Sequence, residues 1–307
     1  MTKKNSTRQP RSRRATPLFD RVAIVGLGLI GSSLARAIRK ERIARHLVAC
    51  DADAGVRAKV NELKLADAVE ADAAKAASGA DLVVVCTPVS TYPALATAIA
   101  PKLKKGAILS DVGSVKQVAL DAFGPHMRKG VHLVPGHPIA GTENSGPEAG
   151  FAELFEGRWC ILTPPAKASP AAIDKVAGLW QRAGMRIVTM EAGHHDRVLA
   201  ITSHVPHLIA YTIVNTVSDL EAHLKAEVVK FAASGFRDFT RVAASDPVMW
   251  RDIFLSNKDA VLEMLGRLYE DIALLQKAIR FGDGETLQRV FARSRQIRRS
   301  IVQARQD

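Results

Sequence analysis

Apolar, largely β-branched runs punctuate the first part of the chain, at 21–26 (RVAIVG), 46–51 (HLVACD), 81–87 (DLVVVCT), 107–112 (AILSDV) and 131–135. They do not alternate apolar with polar positions, so each suits a strand buried on both faces, as in a parallel sheet. Ala-rich segments near 29–40, 53–64, 91–103 and 115–122 fall between the runs and read as helices. Strands alternating with helices predict a doubly wound, Rossmann-type α/β sheet. Two further strands are expected at 158–163 (RWCILT) and 185–190 (MRIVTM), with a helix from about 170 to 183 between them.

From residue 191 the period changes to that of helices. Glu191 to Ser218 reads as one long helix, bent at Pro206. Residues 221–234, 247–280 and 284–304 also read as helical, with 233–246 as an irregular connection. Asp246-Pro247 looks like a helix start, with Asp246 as N-cap and proline in the first turn. The chain therefore divides into a basic, disordered tail (1–19), a dinucleotide-binding domain (20–190) and an all-helical domain (191–307).

Composition narrows the class. At 307 residues, 47% apolar and 24% charged, the chain has the balance of a soluble globular protein. No stretch of ~18 apolar residues lacks charges, so no membrane span is expected. The N-terminus is basic but has no apolar core, so it does not read as a secretory signal. The formal charge of +12 resides at the two ends: residues 1–19 and 289–305 hold six basic residues each and no acid. A basic end can touch nucleic acid, but the body resembles no nucleic-acid fold, and neither a nucleic-acid nor a membrane partner is expected. Cys50, Cys86 and Cys160 lie far apart and read as inert thiols in a reducing cytoplasm.

The chemistry collects at strand ends. Gly26-Leu27-Gly28-Leu29-Ile30-Gly31 directly follows a strand and opens a helix. In such a turn Gly26 permits the bend, Gly28 lets a pyrophosphate reach the backbone and Gly31 lets helix and strand approach, while the helix N-terminus favours the anion. Asp51 ends the next strand, where an acid binds ribose hydroxyls and repels a 2′-phosphate, which favours NAD. Thr87 and Pro88 follow the 81–87 strand on the ligand-binding edge. Ser114 follows the 107–112 strand, and His137 sits between Gly136 and Pro138 in a stiff loop. A serine and a histidine on adjacent strand ends can take a proton from an alcohol as a hydride leaves the same carbon.

The helical part adds His194-His195-Asp196, then Thr202-Ser203-His204-Val205-Pro206-His207, in which Ser203 and His207 share a helix face. His204 and His207 have no cysteine or acid at metal-ligand spacing, so no metal is expected. A third cluster, Ser234 to Arg241, carries Arg237 and Arg241 near a glycine, a setting that suits a carboxylate clamp.

Together GLGLIGSSLARA, DVGSVK, GHPIAGTENSG, HHDRVLAITSHVPH and SGFRDFTRVAASDPVMWRDIFLSNK resemble the prephenate/arogenate dehydrogenase family of tyrosine biosynthesis. The resemblance runs from about 21 to 280 in the family's order. It implies NAD-dependent oxidative decarboxylation of prephenate to 4-hydroxyphenylpyruvate, or of arogenate to tyrosine. Hydride loss would make the ring carbon a carbonyl conjugated to the ring carboxylate, and loss of carbon dioxide would then leave an aromatic ring. The resemblance also implies His137 as the catalytic base on the ring hydroxyl and Ser114 as the group orienting both. Arg241 would bind a substrate carboxylate, and Ser203 and His207 would line the pocket. Thr142 and Glu143 would stand at its mouth, with Glu143 pairing with Asp238. Trp250 would match a tryptophan that reaches across a homodimer formed by the helical domain. Two other readings are weaker. A β-hydroxyacid-type dehydrogenase requires an active-site helix lysine in a context absent here, and a nucleotide-binding regulator would act through its basic ends.

Overall fold

The structure is a computed structural model and describes residues 16–220, 227 and 230–303. The first fifteen residues, which hold most of the expected basic tail, and most of the helix expected over 221–234 lie outside the described residues. Six parallel strands form the main sheet: β1 (Phe19–Val25), β2 (Ala44–Cys50), β3 (Ala68–Glu70), β4 (Leu82–Val85), β5 (Ile108–Asp111) and β6 (His132–Leu133). Their order is β3-β2-β1-β4-β5-β6. The intervening helices are α1 (Leu29–Lys40), α2 (Ala54–Glu62), α3 (Ala73–Ala77), α4 (Tyr92–Ile99) and α5 (Lys116–Phe123).

The unbroken apolar runs have a simple cause. Successive residues of a strand face opposite sides of a sheet, and here both sides are covered. Val22, Ile24, Leu82 and Val84 pack with Leu34 and Ile38 of α1. Ala23, Val25, Val83 and Val85 pack on the other side with Tyr92, Ala96 and Ile99 of α4 and Phe123 of α5. β1 starts two residues before the expected run, because Phe19 is itself buried.

A second sheet continues from the first. β7 (Gly136–Pro138) pairs antiparallel with β8 (Trp159–Leu162), which pairs parallel with β9 (Arg186–Thr189) across α6 (Pro170–Arg182). Trp180 of α6 packs edge-on against Phe155 in the same core. The expected strand over 131–135 shortens to His132–Leu133, and the residue expected in a stiff loop just after it, His137, lies in a strand of the second sheet, paired with Ile161.

The helical part comprises α7 (Ala192–Leu199), α8 (Val205–Ser218), α9 (Ser234–Thr240), α10 (Pro247–Ser256), α11 (Lys258–Phe281) and α12 (Gly284–Gln303). Three expectations change here. The single helix 191–218 is divided by a π-helical turn, Ala200–His204, placed just ahead of Pro206, whose ring offers no N–H to a regular turn. The connection 233–246 holds α9 and a 3₁₀ turn, Arg241–Ala244. The helix 247–280 breaks at Asn257. Asp246 does cap α10, accepting from the Val248 and Met249 N–H groups. Ala192–Ser218 is long and apolar enough, by length and composition, to cross a membrane, although Asp196 and Arg197 interrupt it; 28% of its most apolar window is buried within this chain.

Candidate active site

Gly26 adopts φ +96°, a region that favours glycine, and a Cβ there would stand 2.8 Å from the Cys86 backbone and the Thr87 side chain. A Cβ on Gly31 would overlap the Gly26 carbonyl, so α1 and β1 meet this closely only without side chains. Gly28 differs: it is exposed, and a Cβ would meet nothing within 4 Å. It is also the N-cap of α1 and offers no side chain to the first N–H groups. Leu29 and Ile30 open the helix behind it. Open space over uncapped helix N–H groups suits a pyrophosphate. Asp51 Oδ2 accepts from the Leu27 N–H at 2.8 Å, and Oδ1 accepts from the Asp53 N–H at 3.0 Å. The carboxylate thus braces the glycine turn at the end of β2. Thr87 shares a hydrogen bond with Thr91, and Pro88 starts a 3₁₀ turn beside them. These residues fit a dinucleotide.

On the same carboxyl edge, a buried polar network surrounds His137. Asp111, at the end of β5, accepts from Tyr92 Oη, the Gly113 N–H, the Gly136 N–H and Lys116 Nζ. Lys116 Nζ also donates to the Gly136 carbonyl at 2.7 Å. Both partners of this buried ion pair therefore hold the residue that precedes His137. Removing one partner of such a pair costs roughly 3–5 kcal/mol.

His137 Nδ1 lies 2.9 Å from His195 Nε2, and His195 Nδ1 lies 2.7 Å from Asp196 Oδ1. His137 Nε2 has no partner among the described residues. Burial holds the His137 imidazole well below its ordinary pKa, helped by nearby His195, Lys116 and His204, so it is neutral at pH 7. Burial also lowers Lys116, against the pull of Asp111. His204 is pushed down to about 4, chiefly by burial. Its Nδ1 faces Asn257 Nδ2 at 3.1 Å, and its Nε2 is buried without a partner among the described residues.

The helical part carries the remaining expected site residues. His207 stacks on Trp250 with ring centroids 3.7 Å apart, and its Nδ1 lies 2.8 Å from the Ser203 carbonyl, so the shared face of Ser203 and His207 is present. Burial lowers the His207 pKa, and nearby Arg241 adds to this. Trp250, expected to reach across a dimer, is buried within its own chain against His204, His207 and Phe254. Arg241 Nη1 pairs with Glu143 Oε2 at 3.0 Å, and this corrects the expected pairing of Glu143 with Asp238; two carboxylates repel, and the guanidinium takes the bond. Thr142 is exposed beside Glu143. Ser114 is half-buried and makes no side-chain hydrogen bond among the described residues; the His137 bond expected of it is made by His195.

Residues 34–189 match the family described as prephenate dehydrogenase, nucleotide-binding domain, and residues 191–293 match prephenate dehydrogenase, dimerization domain. The chain belongs to the prephenate dehydrogenase family. It is 43% identical over 284 residues to a cyclohexadienyl dehydrogenase of Zymomonas mobilis, spanning 92% of this chain and 97% of that protein. It is 32% identical to a prephenate dehydrogenase of Bacillus subtilis, over 91% of this chain and 75% of that one. The solved prephenate dehydrogenase of Aquifex aeolicus, in complex with hydroxyphenyl propionate and NAD+, superposes with a TM-score of 0.82 at 31% identity, over 92% and 98% of the two chains.

Within this member of the prephenate dehydrogenase family, sequence reasoning assigned no part to Asp111, Lys116, His195, Asp196 or Asn257. A weak signal existed for the first two. An acid and a lysine that bracket Gly113-Ser114 at the end of an apolar strand are poorly placed for solvent. His195 and Asn257 left none, because His195 meets His137, and Asn257 meets His204, across more than fifty residues of chain.

Proposed function

We propose that this chain oxidises and decarboxylates prephenate to 4-hydroxyphenylpyruvate with NAD, within tyrosine biosynthesis. The observation that carries the reading is His137 Nε2: an unshared atom of a neutral imidazole whose preceding residue, Gly136, is held by Asp111 at the carboxyl end of β5, the end of the main sheet at which the glycine turn also lies. His137 Nε2 takes the proton of the ring hydroxyl as the hydride leaves the same carbon, a contribution of roughly 10²–10⁴-fold. Ser114 is available to hold that hydroxyl. Arg241 binds a substrate carboxylate. Its pair with Glu143 is 60% and 39% exposed, worth at most about 1 kcal/mol, so a substrate carboxylate can displace Glu143. Ser203 and His207 line the pocket, and Thr142 and Glu143 stand at its mouth. NAD, held by Gly26, Gly28, Leu29, Ile30, Gly31, Thr87 and Pro88, supplies the hydride acceptor. Asp51 at the ribose position supports NAD over NADP.

A second reading is supported by the 43% relative, named a cyclohexadienyl dehydrogenase: the chain accepts arogenate as well. The family's dimerization domain and the apolar side chains exposed on α11 support a homodimer. The free thiols Cys50, Cys86 and Cys160 accord with a cytoplasmic setting. The purified protein, assayed with prephenate and arogenate and with NAD and NADP, tests the whole reading. Reduced nicotinamide should accumulate fastest with prephenate and NAD; no turnover of either ring would overturn it.

A further inference from the structure

His194-His195-Asp196 has no part in the function set out above, yet His195 is fully buried and Asp196 nearly so, and both lie in the network around His137. Asp196 sits at the N-terminus of α5. Its Oδ1 accepts from the Lys116 N–H at 2.7 Å and its Oδ2 from the Gln117 N–H at 2.9 Å. A carboxylate engaged in this way can only accept from His195 as well, so the His195 proton resides on Nδ1. Burial lowers the His195 pKa, so its Nε2 carries a lone pair. That lone pair faces His137 Nδ1, which must then donate. The remaining His137 nitrogen, Nε2, is left as the base.

We infer that His195 and Asp196 are positioning residues that set the tautomer of His137, and that they do so from the helical half of the molecule. Asn257 supports them by donating from Nδ2 to the Asp196 carbonyl at 2.9 Å. When Nε2 takes the substrate hydroxyl proton, the new positive charge on His137 is shared through its Nδ1–H to His195, with Asp196 beyond. No proton need pass to His195 or Asp196. The other groups around His137, Lys116 and His204, offer it no carboxylate. Lys116 is committed to Asp111 and Gly136. This inference rests on the dehydrogenase reading for its catalytic consequence, not for its geometry.

The test joins kinetics to the nitrogen NMR spectrum of histidine-labelled protein. The wild-type spectrum should show His137 and His195 protonated on Nδ1 alone. Asp196→Ala removes the acceptor that holds the His195 proton on Nδ1, so His195 can take either tautomer and the His137 proton is no longer confined to Nδ1. That variant should lose about 10²–10⁴-fold in kcat with KM changed by only a few-fold. His195→Gln keeps an acceptor for His137 Nδ1, whereas His195→Leu removes it. With both variants folded by thermal melting, Gln should exceed Leu in kcat by about tenfold. A wild-type spectrum with His137 protonated on Nε2 overturns the inference, as does wild-type kcat in folded His195→Leu. Failure of the wild-type protein to turn over either substrate would overturn the dehydrogenase reading instead, and the spectrum would still report the tautomer.

Discussion

Between Phe19 and Thr189 the large apolar side chains that stay exposed are Ile139, Phe151 and Trp159, none beyond 40%. From Ala192 onward Leu255, Leu262, Tyr269, Ile279 and Phe281 are each more than 60% exposed. The first half covers both faces of its sheet with its own helices. Among the described residues the buried cluster that serves the second half is small, Val115, Trp250 and Ile253, and Val115 comes from the first half. What fixes the helical half in place is largely polar: Asp196 on the α5 N-terminus, Asn257 on the Asp196 carbonyl, and Ser90 donating to Asp252 across the seam. The buried polar network around His137 thus lies at the seam, where a sheet covered by its own helices meets helices that leave large apolar side chains exposed.

The sharpest way to probe the seam is to remove its base and leave both halves intact. His137→Asn should lower kcat by roughly 10²–10⁴-fold, with substrate binding retained by calorimetry. Near-normal turnover would remove His137 from its role.

Acid should open the seam next. The buried neutral His137, His195 and His204 all have folded pKa values below that of the unfolded chain. Their stabilisation is therefore complete above about pH 6.5 and is lost as the pH falls toward the folded values. For His204, at about 4, the loss reaches about 3 kcal/mol. Chemical denaturation at pH 7 and pH 4.5 measures it, and His204→Asn should flatten the difference.

A smaller effect should fall on the helical half alone. Tyr269→Glu places a charge on the exposed face of α11, and should weaken self-association by about 2 kcal/mol in sedimentation. Activity at high protein concentration should persist. The smallest effect is expected at the exposed clamp. Arg241→Gln should raise KM about tenfold and spare kcat, because a carboxylate contact is lost in ground and transition states alike. An unchanged KM rejects the clamp.

The sheet was legible because its strands are buried on both sides and therefore unbroken in composition. Its exceptions follow from the same rule. β3, Ala-Val-Glu at the sheet edge, is three half-buried residues and leaves no run to notice. β7, Gly-His-Pro, carries loop residues and is a strand only because β8 pairs with it. In the helical part, α9 (SGFRDFT) contains glycine, threonine and aromatics that are poor helix formers, and it leans on α8. Within the site, the glycine turn is local and could be read directly. The substitution of His195 for Ser114 as the partner of His137 could not, because it depends on how two domains dock.

The π-helical turn at Ala200–His204 makes the count of residues between His195 and His207 a ruler. Wound as a regular α-helix, the same number of residues would rotate everything beyond by about 100°. His207 would swing off the Trp250 ring while His195 kept its grip on the other half. A substitution that lets this turn rewind, such as Pro206→Ala, should therefore disturb the site more than the loss of its own contacts, although the helix itself would survive it.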